Sequence, residues 1–203
     1  YLLSRFILIF AAAPVLIEAL MPVWFPTIAW VGVITAFIGA TLALMTTDIK
    51  GVLAYSTVSQ IGFMMAGLGT AFSGHVVDVS LSTGWFASLF HMMSHAFFEG
   101  LGFLLAGGII HTLHTRDMRL MGGLKKVMPI TFGLAIIMII TTSGLPPFAS
   151  FFSKGLIIAS VLEAGNLIQV VLIFVTAALT FAYCVRMFSL VFMGRASEHM
   201  LGQ

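Results

Sequence analysis

The apolar residues of this sequence come in runs about twenty long, and that length decides what the chain can fold into. Roughly 20 apolar residues in a helix cross the hydrocarbon of a bilayer. Such runs occupy about 1–20, 27–47, 51–70, 84–110 and 166–193, and a longer, interrupted one occupies 127–164. The breakers between them are the segment Met21–Pro26, the stretch "TTDIK", a polar loop at about 71–83 holding His75 and Asp78, and the charged loop "HTLHTRDMRLMGGLKK". Composition points the same way. Charged residues make up 8% of the chain, against about 25% in a soluble domain, and 9 basic and 7 acidic side chains cannot build a solvated surface. The expected fold is all-α: a polytopic transmembrane bundle of about six spans, one of them discontinuous, forming a single domain over 1–203 that begins with a truncated helix at 1–20. The opening "YLLSRFILIF" carries no initiator Met and no basic n-region, so it is not a signal peptide. It reads as a chain entered partway through a helix.

The interrupted run is read as one crossing. Within "SGLPPFASFFSK", Pro146 and Pro147 remove two backbone donors and Gly144 permits a turn. Cytoplasmic loops collect Lys and Arg, so Arg116, Arg119, Lys125 and Lys126 fix the 111–126 loop on the cytoplasmic side, and two spans earlier Lys50 falls there as well. The loop with Asp78 has no Lys or Arg and lies outside. If 127–164 crosses once, the turn Glu163–Asn166 is outside and Arg186 and Arg195 return inside; two crossings would put those arginines outside. The spacing therefore predicts a single helix broken around Gly144–Ala149. Helix breaks at membrane depth occur where protein or a water-filled cavity satisfies the freed backbone, as at ion and substrate sites of transporters.

Within the stretch "FHMMSHAFFEGLGFLLAG", His91, His95 and Glu99 stand at i, i+4 and i+8, which stacks them on one helical face. An ionisable group at membrane depth costs about 2.5–3.5 kcal/mol on insertion scales. Glu99 and Lys154 must therefore be paired, hydrated or neutralised, the conditions under which side chains exchange protons. Histidine titrates near neutrality without help. The three groups read as a chain of proton acceptors linked by water, and the rival reading is a pair of inward histidines bonded to neighbouring helices. A metal site fits poorly, because Met92 stands where an HExxH motif has Glu and no cysteine is near. Lys50 on its own is an ordinary lysine at the cytoplasmic end of a span. Ser56, Ser59 and Gln60 share a face, a stripe most often explained by helix–helix hydrogen bonding. Arg116, Asp117, Arg119, Lys125 and Lys126 read as a solvated loop. Net charge is +2 with no basic stripe, which gives nucleic acid no footing. Cys184 is the only cysteine: it excludes an intrachain disulfide and a multi-cysteine cluster but leaves the redox compartment open. With no cysteine set for iron–sulfur and no nucleotide-binding glycine loop, no cofactor is expected in this chain.

"TDIKGVLAYSTVSQIGFM", "FHMMSHAFFEGLGFLLAG", "HTRDMRLMGGL" and "SGLPPFASFFSK" follow one another in this order. Together they resemble the antiporter-like proton-channel subunits of complex I and its relatives, nearest to the large L-type subunit (NADH dehydrogenase subunit 5). Relatives include F420H2 dehydrogenase, membrane-bound hydrogenases and the Mrp sodium/proton antiporters. The resemblance covers nearly the whole chain. It implies two inverted five-helix repeats, each with a broken helix, of which this chain holds the end of one helix and the second repeat over 27–193. It further implies that Lys50 connects to the inner half-channel, that His91 and His95 bridge, and that Lys154 hands protons to the outer side. At Glu99 the sequence departs from the L-type pattern, which has lysine there: a glutamate is neutral when loaded, a lysine charged. The family's first-half Glu–Lys pair would precede Tyr1. The expected function is proton or cation translocation in a redox-driven complex, with iron–sulfur clusters or flavin only in partner subunits, other membrane subunits as partners, and a prokaryotic cell membrane as location. The alternatives are an Mrp-type antiporter uncoupled from electron transfer and a membrane scaffold.

Overall fold

The computed structural model describes residues 1–11, 15, 22–71 and 83–194. His75, Asp78, Arg195 and most of the first run beyond Ala11 lie outside the described residues. Among those described, eight helices account for nearly all of the chain: α1 (Leu2–Ala11), α2 (Trp24–Met45), α3 (Ile49–Gly69), α4 (Thr83–Leu113), α5 (Leu124–Val127), α6 (Pro129–Ser143), α7 (Ala149–Glu163) and α8 (Leu167–Phe192). A short 3-10 turn covers Met118–Leu120. Helices α2, α3, α4 and α8 are each long and apolar enough to cross a membrane. Phe97, Leu104, Ile130 and Leu167 are among the large apolar side chains left on the outside, as hydrocarbon permits and water would not. The protein is an integral multi-pass membrane protein.

α2 and α3 form a tight hairpin. The Asp48 carboxylate caps α3 by accepting from the backbone N–H of Lys50 (2.8 Å) and Gly51 (3.2 Å), which satisfies two of the donors that a helix start leaves free. The helices approach through small residues. A methyl group on Gly39 would sit 2.7 Å from the Ser59 nitrogen, and one on Gly62 would meet the backbone of Ala36. The loops that follow α2 and α4 meet at the same end. Ile49 N–H donates to Arg116 O and Met118 N–H to Thr47 O, forming a short bridge between Asp48 and Asp117. Arg186 of α8 donates to Thr46 O (2.7 Å) at the C-terminus of α2. At the surface of this end Arg119 pairs with Asp117 (2.7 Å), and the guanidinium holds that carboxyl below its ordinary value.

The interrupted run is one discontinuous helix. α6 ends at Ser143 and α7 begins at Ala149, within a residue of the expected break. The break is chemically explicit. Gly144 adopts φ +75° and its N–H donates to Thr141 O, while Leu145 N–H donates to Ile140 O, the paired bonds of a Schellman ending. Pro146 and Pro147 stand four residues after Thr142 and Ser143 and have no N–H to offer their carbonyls. Packing shows that the two halves cross once. Ala135, Met138 and Ile139 of α6 pack with Ala106, Ile109 and Leu113 late in α4 and with Met187 and Val191 late in α8. Ile157 and Val161 of α7 pack instead with Ala87, early in α4, and Ile173, early in α8. Each 15-residue half is about 22 Å long at 1.5 Å per residue, too short to span the roughly 30 Å of hydrocarbon alone.

Candidate functional site

Four helices enclose a polar interior. α4 contributes His91, His95 and Glu99, which are 0%, 8% and 6% exposed, so one helical face carries all three inward. α3 supplies Ser56, Thr57 and Gln60, α7 supplies Ser153 and Lys154, and α8 supplies Tyr183.

Around Glu99, Thr57 Oγ1 donates to Oε1 (2.9 Å) and Ser56 Oγ approaches Oε2 at 3.5 Å. His95 Nε2 lies 3.7 Å from Oε2, beyond hydrogen-bonding distance, and has no other partner. Thr57 Oγ1 is also 3.0 Å from Leu53 O, so its single proton has two acceptors. When Glu99 is ionised that proton serves the carboxylate. When Glu99 is protonated the acid can donate to Thr57, which turns its own proton to Leu53. Hydroxyls both donate and accept, so neither charge state leaves the Glu99 carboxyl or the Thr57 hydroxyl unmatched.

His91 is bound in the same reversible manner. Its Nδ1 is 2.8 Å from Ser153 Oγ and its Nε2 2.9 Å from Gln60 Oε1. With Oε1 accepting, Nε2 carries the ring proton and Ser153 donates to Nδ1. Turning the Gln60 amide over would reverse both bonds, and two donated protons would accommodate the imidazolium. Ser94 Oγ, 3.3 Å from Ser153 Oγ, extends the hydroxyl chain.

Lys154 is 4% exposed and carries the ammonium that the break calls for. Its Nζ donates to Thr142 O (2.7 Å), the carbonyl whose partner Pro146 removes. The C-terminal end of α6 has negative dipole character, and the ring of Phe63 faces the ammonium at 5.3 Å, a cation–π distance. A buried lysine is thus held without a carboxylate in direct contact.

The remaining residues separate. Lys50 is exposed at the start of α3 and its ammonium makes no described contact; Ser56 lies six residues further on, about 9 Å along the helix. The Ser56/Ser59/Gln60 stripe divides in function. Ser59 donates to Ala36 O of α2 (2.9 Å) and serves the hairpin, whereas Ser56 and Gln60 touch Glu99 and His91. Sequence reasoning missed Thr57, Ser153 and Tyr183 as members of the site. Thr57 was visible, one residue from Ser56, and Ser153 stands beside Lys154, while Tyr183, among the other hydroxyls of α8, gives no local signal. Among the described residues no group of three or more His, Cys, Asp or Glu could hold a metal ion. His95 and Thr57 also line an open groove of about 800 Å³ between α1, α3 and α4, whose walls include Phe6, Ile61 and Met65.

Over most of its length the chain is similar to known proteins. The chain is 40% identical over 199 residues to NAD(P)H-quinone oxidoreductase chain 5 of a Picosynechococcus species, covering 91% of this chain and 28% of the relative. It is 40% identical over 187 residues to a Na(+)/H(+) antiporter subunit of Alkalihalophilus pseudofirmus, covering 85% and 23%. A solved archaeal respiratory membrane complex, the membrane-bound sulfane sulfur reductase, contains a chain of the same fold with TM-score 0.76 and 35% identity, over 84% of this chain and 27% of that one. An Mrp complex from a Dietzia species superposes with TM-score 0.74 at 23% identity, over 90% and 34%, a likeness of fold. The chain spans about a quarter of the length of these curated relatives. With a family model matching residues 2–180, the chain belongs to the NADH:quinone oxidoreductase/Mrp antiporter transmembrane family.

Proposed function

We propose that this chain is the ion-translocating part of an antiporter-like membrane subunit, moving protons along His91, His95, Glu99 and Lys154 with Lys50 at the cytoplasmic entrance. The observation that carries the reading is the set of partners around Glu99, His91 and Lys154. A packing role needs one fixed hydrogen bond per group, but here Thr57, Ser56, Ser153 and Gln60 can each reverse a bond, so charge can come and go while the Glu99 carboxyl and the His91 ring keep their partners. Transport along such a line also requires groups that titrate at intervals, which His91, His95 and Glu99 supply on one helix face. The order of the path, from Lys50 through the α4 column to Lys154, follows from the two lysines' places in the fold: one at the loop end of α3, the other at the helix break.

The domain is taken as single over 1–203, with helices from 27 to 193 forming one repeat. The charged end, where Lys50, Arg116, Lys125 and Lys126 gather, is read as cytoplasmic, a reading that its surplus of Lys and Arg supports, and the membrane as that of a prokaryotic cell. Partners are other membrane subunits of a larger complex, and electrons are carried by iron–sulfur or flavin groups in those partners. The relatives named for quinone oxidoreduction support coupling to a redox reaction. The second reading, a cation/proton antiporter with no electron transfer, is favoured by the equally similar Na(+)/H(+) antiporter relative. Purifying the full-length subunit from its native membrane with whatever remains attached separates the two. Co-purified flavin or iron–sulfur absorbance, with proton uptake into vesicles on addition of a reductant, is the result expected. Cation-driven proton exchange without those chromophores would replace the first reading with the second.

A further inference from the structure

The interior contains a buried phenol that the proposed route does not use. Tyr183, on α8, is 2% exposed and lies just past the stretch that the family model matches. Its phenol donates to Ser56 Oγ at 2.9 Å. The Gln60 carboxamide lies beside the same hydroxyl, and Gln60 Nε2 makes no hydrogen bond of its own.

We infer that Tyr183 is a positioning residue that aims the Ser56 hydroxyl at Glu99, and so ties the Glu99 arm of the route to the His91–Gln60 arm. The inference deepens the proposed function and rests on Glu99 exchanging protons. A serine in the interior of a membrane helix ordinarily turns its proton back to the carbonyl four residues earlier, as Thr142, Thr176 and Thr180 do here with their own helices. Ser56 does not: its oxygen receives the Tyr183 proton, and its own proton is directed to Glu99 Oε2. An oxygen that is already accepting from a phenol is a better donor, because hydrogen bonds in series polarise one another. Without the phenol, Ser56 is free to return to the Val52 carbonyl, and Glu99 keeps Thr57 as its single hydroxyl donor. The groups facing Glu99 are then His95 on its own helix, Ser56 and Thr57 on α3, Lys154 on α7, and Tyr183 and Cys184 on α8. Of these, Tyr183 is the one that reaches the carboxylate through another side chain's hydroxyl.

The test uses the full-length subunit in its complex, reconstituted in vesicles, in four variants: Tyr183→Phe, Ser56→Ala, the two combined, and Glu99→Gln. Tyr183→Phe retains the ring in its packed site. It is expected to slow proton transport about fivefold, the factor corresponding to one ordinary net hydrogen bond, and Ser56→Ala to do the same. Because Tyr183 acts through Ser56, the combined variant should be no slower than Ser56→Ala alone. Infrared difference spectra across a pH step give a readout that packing would not move: the carboxyl C=O band removed by Glu99→Gln should shift to higher frequency in Tyr183→Phe, as a carboxyl losing a hydrogen bond does. Multiplying defects in the combined variant, or an unshifted Glu99 band with wild-type transport in Tyr183→Phe, overturn the inference while leaving the route intact. Wild-type transport by Glu99→Gln overturns the route and the inference together.

Discussion

Helix α3 has two sides that solve opposite problems. Toward α2 it presents Ser59, Gly62, Ala66 and Gly69, and the backbones meet so closely that a methyl group on Gly62 or Gly69 would strike main chain. Toward α4, α7 and α8 it presents Ser56, Thr57, Gln60 and Phe63, which surround three ionisable side chains. The first side is dry, apolar and fixed by shape. In hydrocarbon, where no hydrophobic force draws helices together, close contact of small residues and an occasional hydrogen bond are what hold them. The second side accepts costly groups and leaves some of them, His95 Nε2 and Gln60 Nε2, without hydrogen bonds. One helix thus anchors the bundle with one face, and that anchorage lets another face carry groups that are costly to bury.

If this division is right, substitutions on the two sides should fail in different ways. The largest effect is expected at the seam. Gly62→Val pushes a branched side chain into the Ala36 backbone, and overpacking of this kind costs about 1–3 kcal/mol or more. Because Gly32, Gly39 and Gly69 fix the same interface, the helices cannot shift to relieve it. Little folded protein should survive detergent extraction and size-exclusion chromatography; normal yield and melting temperature would show that the seam is looser than the geometry indicates.

On the opposite side, Lys154→Met should do the reverse. The methionine fills the lysine's space and removes its charge, leaving the Thr142 carbonyl without its partner. Complex yield should be near normal, while proton transport falls by about a hundredfold, the lower end of what a positioned proton-transfer group contributes. Loss of assembly instead would make Lys154 a structural cap of α6. Ser59→Ala separates the faces more finely, because Ser59 lies on the stripe with Ser56 and Gln60 but bonds across the seam. It should lower thermal stability by about 0.6 kcal/mol, the average for such a bond in a membrane protein, and change transport per assembled complex less than about twofold.

The smallest effect belongs to the loop end. The carboxyl of Asp117 is held below its ordinary value by Arg119, chiefly through the side-chain hydrogen bond. A depressed carboxylate contributes stability at pH above its unfolded value of about 3.9 and loses it as pH falls through the lower folded value. Melting curves of Asp117→Asn and wild type should therefore differ slightly at neutral pH and converge in acid. A difference that grows as pH falls would reverse the assignment.

What could be read in the sequence follows the range of the interaction concerned. The spans were legible because length and hydropathy are local, and the break because Pro146 and Pro147 remove donors from known carbonyls. The alignment of His91, His95 and Glu99 was legible because 3.6 residues per turn puts i, i+4 and i+8 on one side. Their partners were not. Tyr183 meets Ser56 across 127 positions and Ser153 meets His91 across 62; Ser153 at least stands beside Lys154, but nothing near Tyr183 marks it out from the other hydroxyls in apolar helices. The split between Ser59 and Ser56, three residues apart, was illegible for the same reason: the difference lies in which helix each one faces. Lys154 was half legible. Its cost in hydrocarbon marked it, and its place just after the break set it near the exposed half-helix end, but the acceptor itself, Thr142 O, required the fold.

Proton exchange by the α4 column during transport is tested most directly by Glu99→Gln. Glutamine keeps the shape of the neutral acid and can still bond to Thr57 and Ser56, so the fold and the complex should be preserved. It cannot gain or lose a proton near neutral pH. Proton transport by the full-length complex in vesicles, followed with a pH-sensitive dye, should fall by about a hundredfold with assembly unchanged. Glu99→Lys, measured alongside it, tells whether the surrounding hydroxyls and Lys154 require a group that is neutral when loaded; on the present account it transports little better than glutamine. Transport at the wild-type rate by an intact Glu99→Gln complex would contradict the account and leave His91, His95 and Glu99 as packed polar residues of a membrane scaffold.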